Sequence, residues 1–239
     1  MADKATPAFR FIQGLVLPFM VMSTKRDWKG LEHIPAEGPC ILAPNHNSDF
    51  DPLAVGHFVV AGARRTPHFL GKTEVVDMPI LGRLFKAAGK ISVYRGTASA
   101  VNAFRDAIAA LERGECIAVY PEGTTTKDPE LWPMMGKTGP ARMALETGAP
   151  VIPIAQWGAH RVIPNQGFGF HLFPRKTMHV HAGAPIDLDD LRGREVTTAM
   201  LEEATERIML AITMLLAEIR GELPPAERYN PRQRPRDPS

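Results

Sequence analysis

The chain has only two cysteines in 239 residues, Cys40 and Cys116, each in a separate apolar run and with no CxxC spacing. That excludes a disulfide framework and a thiolate metal site, and it assigns both to the core as reduced thiols. Excess charge is equally scarce: the formal net charge is +2 and Lys and Arg form no block, which excludes the electrostatic footprint of a nucleic-acid binder. No apolar run reaches the ~20 residues that cross a bilayer. The best candidate, FRFIQGLVLPFMVMSTKRDWKG, is interrupted by Arg10, Gln13, Gly14 and Pro18 and closed by Lys25 and Arg26. No A-x-A-like site follows it, which disfavours a cleaved signal peptide. There is no G-x-S-x-G, hence no serine elbow. GKT occurs at 71–73 and at 136–138, but a phosphate-binding P-loop needs glycine where Thr66 and Leu131 stand.

The 44% apolar content and the chain length are enough for one globular domain with a substantial core. Strand-like and helical runs alternate from about residue 38 to 220. CILAP, HFLGK, KISVYR, ECIAVY, VIPIAQW and TMHVHAG read as strands. PLAVGHFVVAGA and PILGRLFKAAG read as helices, as do TASAVNAFRDAIAALERG, GPARMALETG and the stretch 196–220. Val101, Phe104, Ile108 and Leu111 carry the helical period in one, and Leu201, Ala204, Ile208, Ala211, Leu215 and Ile219 in another. The alternation predicts an α/β fold, a mixed and largely parallel sheet covered by helices.

Two flanks frame this domain, assigned to 30–221. Residues 1–29 carry Phe9, Ile12, Val16 and Phe19 at helical spacing among Lys4, Arg10, Lys25, Arg26 and Lys29, the composition of a helix lying in a membrane interface. A helix packed on the core fits the same spacing. Residues 222–239, rich in proline and arginine and nearly devoid of apolar side chains, predict a flexible tail.

The chemistry concentrates in NHNSDFDP. His46 stands where a strand ends, and Asp51 stands five positions on, just before Pro52. A tight turn can fold the carboxylate back onto the imidazole, where it would fix the tautomer and leave the other ring nitrogen free to take a proton. Asp51 also suits a helix N-cap, with Pro52 at the first helical position. Ser48 is too near His46 to serve as an enzyme nucleophile, so the proton would come from a substrate hydroxyl. Acyl transfer from an activated thioester suits such a base, whose help is worth about 10²–10⁴-fold. A metal site built from His46, Asp49, Asp51 and His57 lacks the usual paired-imidazole spacing, and no metal is expected. In AVYPEGTTTKD, Glu122 is either a buried carboxylate for substrate hydroxyls or a turn residue, and Gly123 permits close approach of the backbone to a ligand. Arg95, ending KISVYRG, can present a fork to phosphate or be a surface arginine.

In this order, NHNSDFD, GKISVYR, YPEGT and VIPIA resemble the four motifs of the 1-acylglycerol-3-phosphate (lysophosphatidate) acyltransferase family, part of the glycerolipid acyltransferase superfamily. The resemblance covers roughly residues 30 to 190. It implies that fold with a membrane-surface N-terminal helix, and an O-acyltransferase that moves a fatty acyl group from acyl-CoA or acyl carrier protein to a lysophospholipid hydroxyl. The acceptor it implies is lysophosphatidate, giving phosphatidic acid. His46 would be the general base and Asp51 its orienting partner. Lys72, Arg95, Glu122, Gly123 and Thr124 would hold the glycerol phosphate, with Asn45, Lys137 and Pro153 on the donor side or less securely placed. No cofactor is implied beyond the thioester cosubstrate, and the location implied is peripheral, on the cytoplasmic face of the cell membrane. The chain departs from the family at Thr125, where EGTRS would have arginine, which leaves open another glycerolipid acceptor of the same family. A lipid hydrolase and a non-catalytic lipid binder are the remaining readings.

Overall fold

The computed structural model describes residues 7–70, 97–165 and 169–232. Helix α1 (Pro7–Ser23) leads directly into strand β1 (Thr24–Lys29). Strand β2 (Cys40–Pro44) is followed by helix α2 (Asp51–His57), which continues as a π-helical turn over Phe58–Gly62. Then come β3 (Pro67–Leu70), α3 (Thr97–Glu112), β4 (Cys116–Val119), α4 (Gly139–Thr147), β5 (Val151–Trp157), β6 (Lys176–Ala182) and α5 (Thr198–Arg220). The expected helix in PILGRLFKAAG, the expected strand in KISVYR, and with them Lys72 and Arg95, lie outside the described residues.

The six strands form one sheet in the order β1-β6-β5-β2-β4-β3. β5, β2, β4 and β3 run parallel, while β6 is antiparallel to β5 and parallel to β1. This is the mixed, mostly parallel sheet that the alternation predicts. Period-two alternation sorts the side chains. Cys40, Leu42, Cys116, Ala118, Ile152 and Ile154 face α1 and α2, whereas Ile41, Ala43, Ile117, Val119 and Val151 face α3, α4 and α5. Cys40 and Cys116 are buried thiols in register across β2 and β4.

The structure shows three things that the sequence reading did not contain. TKRDWK, read as the charged flank of the N-terminal helix, is an edge strand whose register sets Thr24 against Lys176. Helix α1 divides its apolar side chains: Val16, Phe19 and Met20 pack on the core, while Phe11, Leu15, Val21 and Met22 are exposed. The core-packed reading thus describes one face of the helix, and the other face carries exposed apolar side chains. The flexible tail needs correcting over 222–232, where the chain is docked. The Arg228 guanidinium pairs with both oxygens of Glu206 at 2.6 Å, and Met135 N donates to the Tyr229 carbonyl at 3.0 Å. A bidentate pair and a backbone bond substitute here for the apolar anchors that the composition lacks.

At the end of α5, Arg220 lies between Trp132 and Trp157, its guanidinium 4.0 and 4.6 Å from their ring centroids, and it donates to the Glu130 carbonyl at 2.7 Å. It fastens the loop that carries Trp132 to the sheet. Arg220→Ala should lower the unfolding free energy by about 1–3 kcal/mol, because two cation–π contacts and a charge-assisted bond are lost together. Urea unfolding of wild type and variant measures this.

Candidate active site

The carboxyl ends of β2, β4 and β5 meet at one rim of the sheet, the place where open α/β sheets bind ligands. His46 follows β2, Tyr120 and Glu122 follow β4, and Gln156 lies near the end of β5. Their backbones continue the sheet beyond its formal ends: Asn45 N donates to the Ile154 carbonyl, and the Asn45 side chain takes over the ladder. Its Oδ1 accepts from Gln156 N at 2.7 Å and its Nδ2 donates to the Gln156 carbonyl at 3.1 Å. Gln156 Nε2 donates in turn to Asn45 O and to Asn47 Oδ1. Asn45, which the sequence left on the donor side or less securely placed, sets the path of the His46 loop.

Asp51 organises that loop. Its Oδ2 accepts from Asn47 N at 2.6 Å, Ser48 N at 2.9 Å and His46 Nδ1 at 2.9 Å. It is the first helical residue and caps no amide of α2, since the N-cap position belongs to Phe50. The side chain turns backward, toward the turn and the imidazole, so the N-cap reading is replaced by the His46 pairing. With Nδ1 facing a carboxylate, the ring proton belongs on Nδ1 and Nε2 is left as the acceptor. Burial works against charge on His46, but the Asp51 hydrogen bond and the charges of Asp51, Glu122 and Asp49 outweigh it and raise its pKa. Burial also raises the Asp51 carboxyl, against the pull of His46 and the Ser48 amide. The Ser48 hydroxyl donates to the Ile163 carbonyl at 2.7 Å, a structural role that agrees with its rejection as a nucleophile.

The imidazole is stacked on Tyr120, with centroids 4.1 Å apart and planes at 24°, and Phe69 lies beyond Tyr120 at 6.4 Å. Three rings from adjacent strand ends thus form a row that holds the imidazole flat. The Tyr120 hydroxyl is buried and makes no hydrogen bond among the described residues.

Glu122 is buried, and both of its oxygens are taken by backbone: Oε1 accepts from His46 N at 2.8 Å and Oε2 from Met134 N at 3.0 Å. Of the two sequence readings, a buried carboxylate and a turn residue, the burial fits the first, and its two oxygens brace the loop that carries His46. Thr126, which the sequence reading passed over, completes the brace, its amide donating to the His46 carbonyl at 2.6 Å and its hydroxyl to the Trp132 carbonyl at 2.7 Å. Gly123 and Thr124 are exposed at the rim. Gly123 has φ +72 and lies under Lys137, whose Nζ would be 2.5 Å from a Cβ at that position. A side chain here would be strained and would collide with the amine. Lys137 thus carries its charge over the 123–124 turn, and its amide donates to the Pro121 carbonyl at 2.8 Å. Pro153 lies lower in β5, paired with Ala43, and its carbonyl accepts from Gly183 N. His57, weighed as a ligand beside His46, instead meets Trp28 edge-on at 4.9 Å. Among the described residues, no three His, Cys, Asp or Glu side chains form an arrangement that could hold a metal ion.

Residues 25–157 match the Acyltransferase family. The chain belongs to that family. A chloroplastic 1-acyl-sn-glycerol-3-phosphate acyltransferase of Brassica napus is 29% identical over 147 residues, 61% of this chain and 41% of its own length. A 1-acyl-sn-glycerol-3-phosphate acyltransferase of Bacillus subtilis is 26% identical over 181 residues, 74% of this chain and 83% of its own. The chain thus spans about two fifths of the plant relative. The crystal structure of the 1-acyl-sn-glycerophosphate acyltransferase PlsC from Thermotoga maritima superposes with a TM-score of 0.65 at 22% identity, covering 94% of this chain and 86% of that one. That likeness bears out the expected fold.

Glu122 gives this site a measurable pH signature. Burial pushes its carboxyl up from 4.5 to about 7, against the Met134 and His46 amides that favour the anion. A folded pKa above the unfolded one means that the native state holds the extra proton, so the associated stability is present below 4.5 and is lost as pH rises through about 7. Glu122→Gln cannot titrate and offers only one acceptor oxygen. The stability of wild type minus that of the variant should therefore fall by up to about 3 kcal/mol between pH 4.5 and 8, read from denaturant unfolding at each pH.

Proposed function

We propose that the protein is an O-acyltransferase that moves a fatty acyl group from an acyl thioester, acyl-CoA or acyl carrier protein, to the free hydroxyl of a lysophospholipid, with lysophosphatidate as the acceptor. The observation that carries the reading is the buried His46–Asp51 pair, oriented, among the described residues, with Nε2 free and with no enzyme nucleophile beside it. In the reaction, His46 Nε2 takes the proton of the acceptor hydroxyl as that oxygen attacks the thioester carbonyl carbon. The tetrahedral intermediate collapses with cleavage of the C–S bond, and the imidazolium returns the proton to the departing thiolate. An ester and a free thiol result. Asp51 holds the ring and stabilises its charged form between the two steps.

The acceptor choice is supported by the names of the relatives and by the Lys137 amine over the exposed Gly123–Thr124 turn, a cation beside open backbone at the same rim as His46. Lys72 and Arg95 are proposed to complete the phosphate site. The exposed face of α1 is proposed to hold the enzyme on the membrane surface, on the cytoplasmic side where acyl thioesters occur. Among the described residues no helix is long and apolar enough to cross a membrane.

Purified protein with palmitoyl- or oleoyl-CoA and a panel of lysophospholipids and monoacylglycerol, read by thiol release, tests the function. Thiol release that depends on lysophosphatidate is expected, and fatty acid release without acceptor would point to the hydrolase instead. His46→Ala should abolish transfer in a folded protein, and Asp51→Asn should lower kcat by orders of magnitude. Because His46 must be neutral to accept the proton, its raised pKa puts the acid limb of kcat/KM above 6.5, and loss of the Asp51 charge should move that limb to lower pH.

A further inference from the structure

β6 runs opposite to β5, so the start of β6 lies at the rim where β5, β2 and β4 end. Trp157 at the end of β5 is paired with His179, and Lys176 at the start of β6 is paired with Thr24, the first residue after α1. The end of α1, the segment 169–175 before β6 and the His46 loop therefore share one edge of the sheet. Direct bonds join them. Arg175 Nη2 donates to the Val21 carbonyl at 2.8 Å and to the Thr24 carbonyl, His171 N donates to the Val162 carbonyl, and Ile163, next along, accepts from Ser48 in the His46 loop.

At this edge apolar side chains are turned outward. Phe173 is 78% exposed and Phe170 53%, beside Met22 at 74% and Val21 at 44% on α1. Two exposed aromatic rings on the segment, and two exposed apolar side chains on the helix end to which Arg175 ties it, are more than the single exposed residues that need no explanation. Exposed charge at the edge is mostly positive: Asp27 is bonded to His179 and, like Asp49 in the His46 loop, is half-buried. The sequence contains no Asp or Glu between Glu146 and Asp187, and none within α1, whereas Arg10, Lys25, Arg26, Arg161 and Arg175 are all exposed.

We infer that the segment 169–175 is a second membrane-contact element, inserting Phe170 and Phe173 into an anionic bilayer beside α1 and so seating the His46 rim against the lipid. Aromatic tips between basic side chains suit that surface: the rings enter the acyl boundary, and the guanidinium and ammonium groups stay at the level of anionic headgroups. Two elements inserting side by side fix the protein's orientation, which one helix free to roll about its axis does not. The inference rests on the membrane-surface reading of α1 and adds a contact that the helix does not supply.

The test uses the full chain and vesicles of phosphatidylcholine with and without phosphatidylglycerol, with co-sedimentation as readout. Phe173→Asp, alone and combined with Phe170→Ser, should reduce the vesicle partition coefficient about tenfold or more, since apolar surface is removed from the lipid contact. Leu210→Asp, a like change at an exposed leucine on α5 across the sheet, should leave it unchanged. Binding to the mixed vesicles should exceed binding to phosphatidylcholine alone and fall with added salt. Thermal unfolding checks that each variant is folded. Wild-type binding by the loop variants, or an equal loss in Leu210→Asp, overturns the inference. If Phe11→Ser with Met22→Ser abolishes binding while the loop variants bind normally, α1 alone is the anchor and the inference likewise fails. Acyl transfer to a short-chain, monodisperse acceptor, measured on the same variants, keeps the catalytic proposal separate: it should be unchanged by the loop variants whatever the vesicles show.

Discussion

A carboxylate excluded from water must find donors, and Asp51 Oδ2 finds three within five residues of itself: two amides and an imidazole. That constraint shapes the turn after β2. Amides 47 and 48 can reach the oxygen only if the chain curls around it, and the curl delivers the His46 ring to the same atom. Glu122 repeats the device from the neighbouring strand, using the His46 amide and the Met134 amide to tie two turns together. His46 is thereby held from its ring, its backbone and, through Tyr120, its face. Removal of either carboxylate would leave buried amides without acceptors, so the positioning of His46 and the stability of the rim are the same set of bonds.

Much of this was legible from residue types. The His46–Asp51 pairing follows from spacing and Pro52, and the strands CILAP, ECIAVY and VIPIAQW are apolar runs of the length that a buried parallel sheet requires. The helices with clear periods at 97–112 and 198–220 fall where the pattern puts them. What was not legible depends on partners without a sequence signature. The role of Glu122 is fixed by two backbone amides, one 76 positions away, and any residue type could have supplied them. β1 is an edge strand with exposed Lys25, Arg26 and Lys29, so it lacks the apolar run that marks its neighbours. Gln156 could have been noticed as the one amide in an otherwise apolar strand, since a buried side chain of that kind needs partners. The docking of Arg228 on Glu206 joins positions 22 apart through long polar side chains, which composition reads as disorder.

The sheet accommodates two demands of different kind. Four parallel strands supply the rim at which side chains converge, and the reversed pair β6 and β1 brings both the end of α1 and the segment before β6 to that rim. A fully parallel sixth strand would have entered from the opposite edge. The reversal is a topological choice with a spatial result: chain segments distant in sequence lie at the rim that carries His46 without any insertion into the loops after β2 and β4.

On the proposed reading, that shared edge changes the quantity that governs encounter with substrate. A protein held by its catalytic rim meets lysolipid by lateral diffusion within a plane, so the relevant acceptor concentration is a number per unit area of membrane. Diluting the acceptor among inert lipids at constant bulk concentration would then slow the reaction, whereas adding more water around the same vesicles would not.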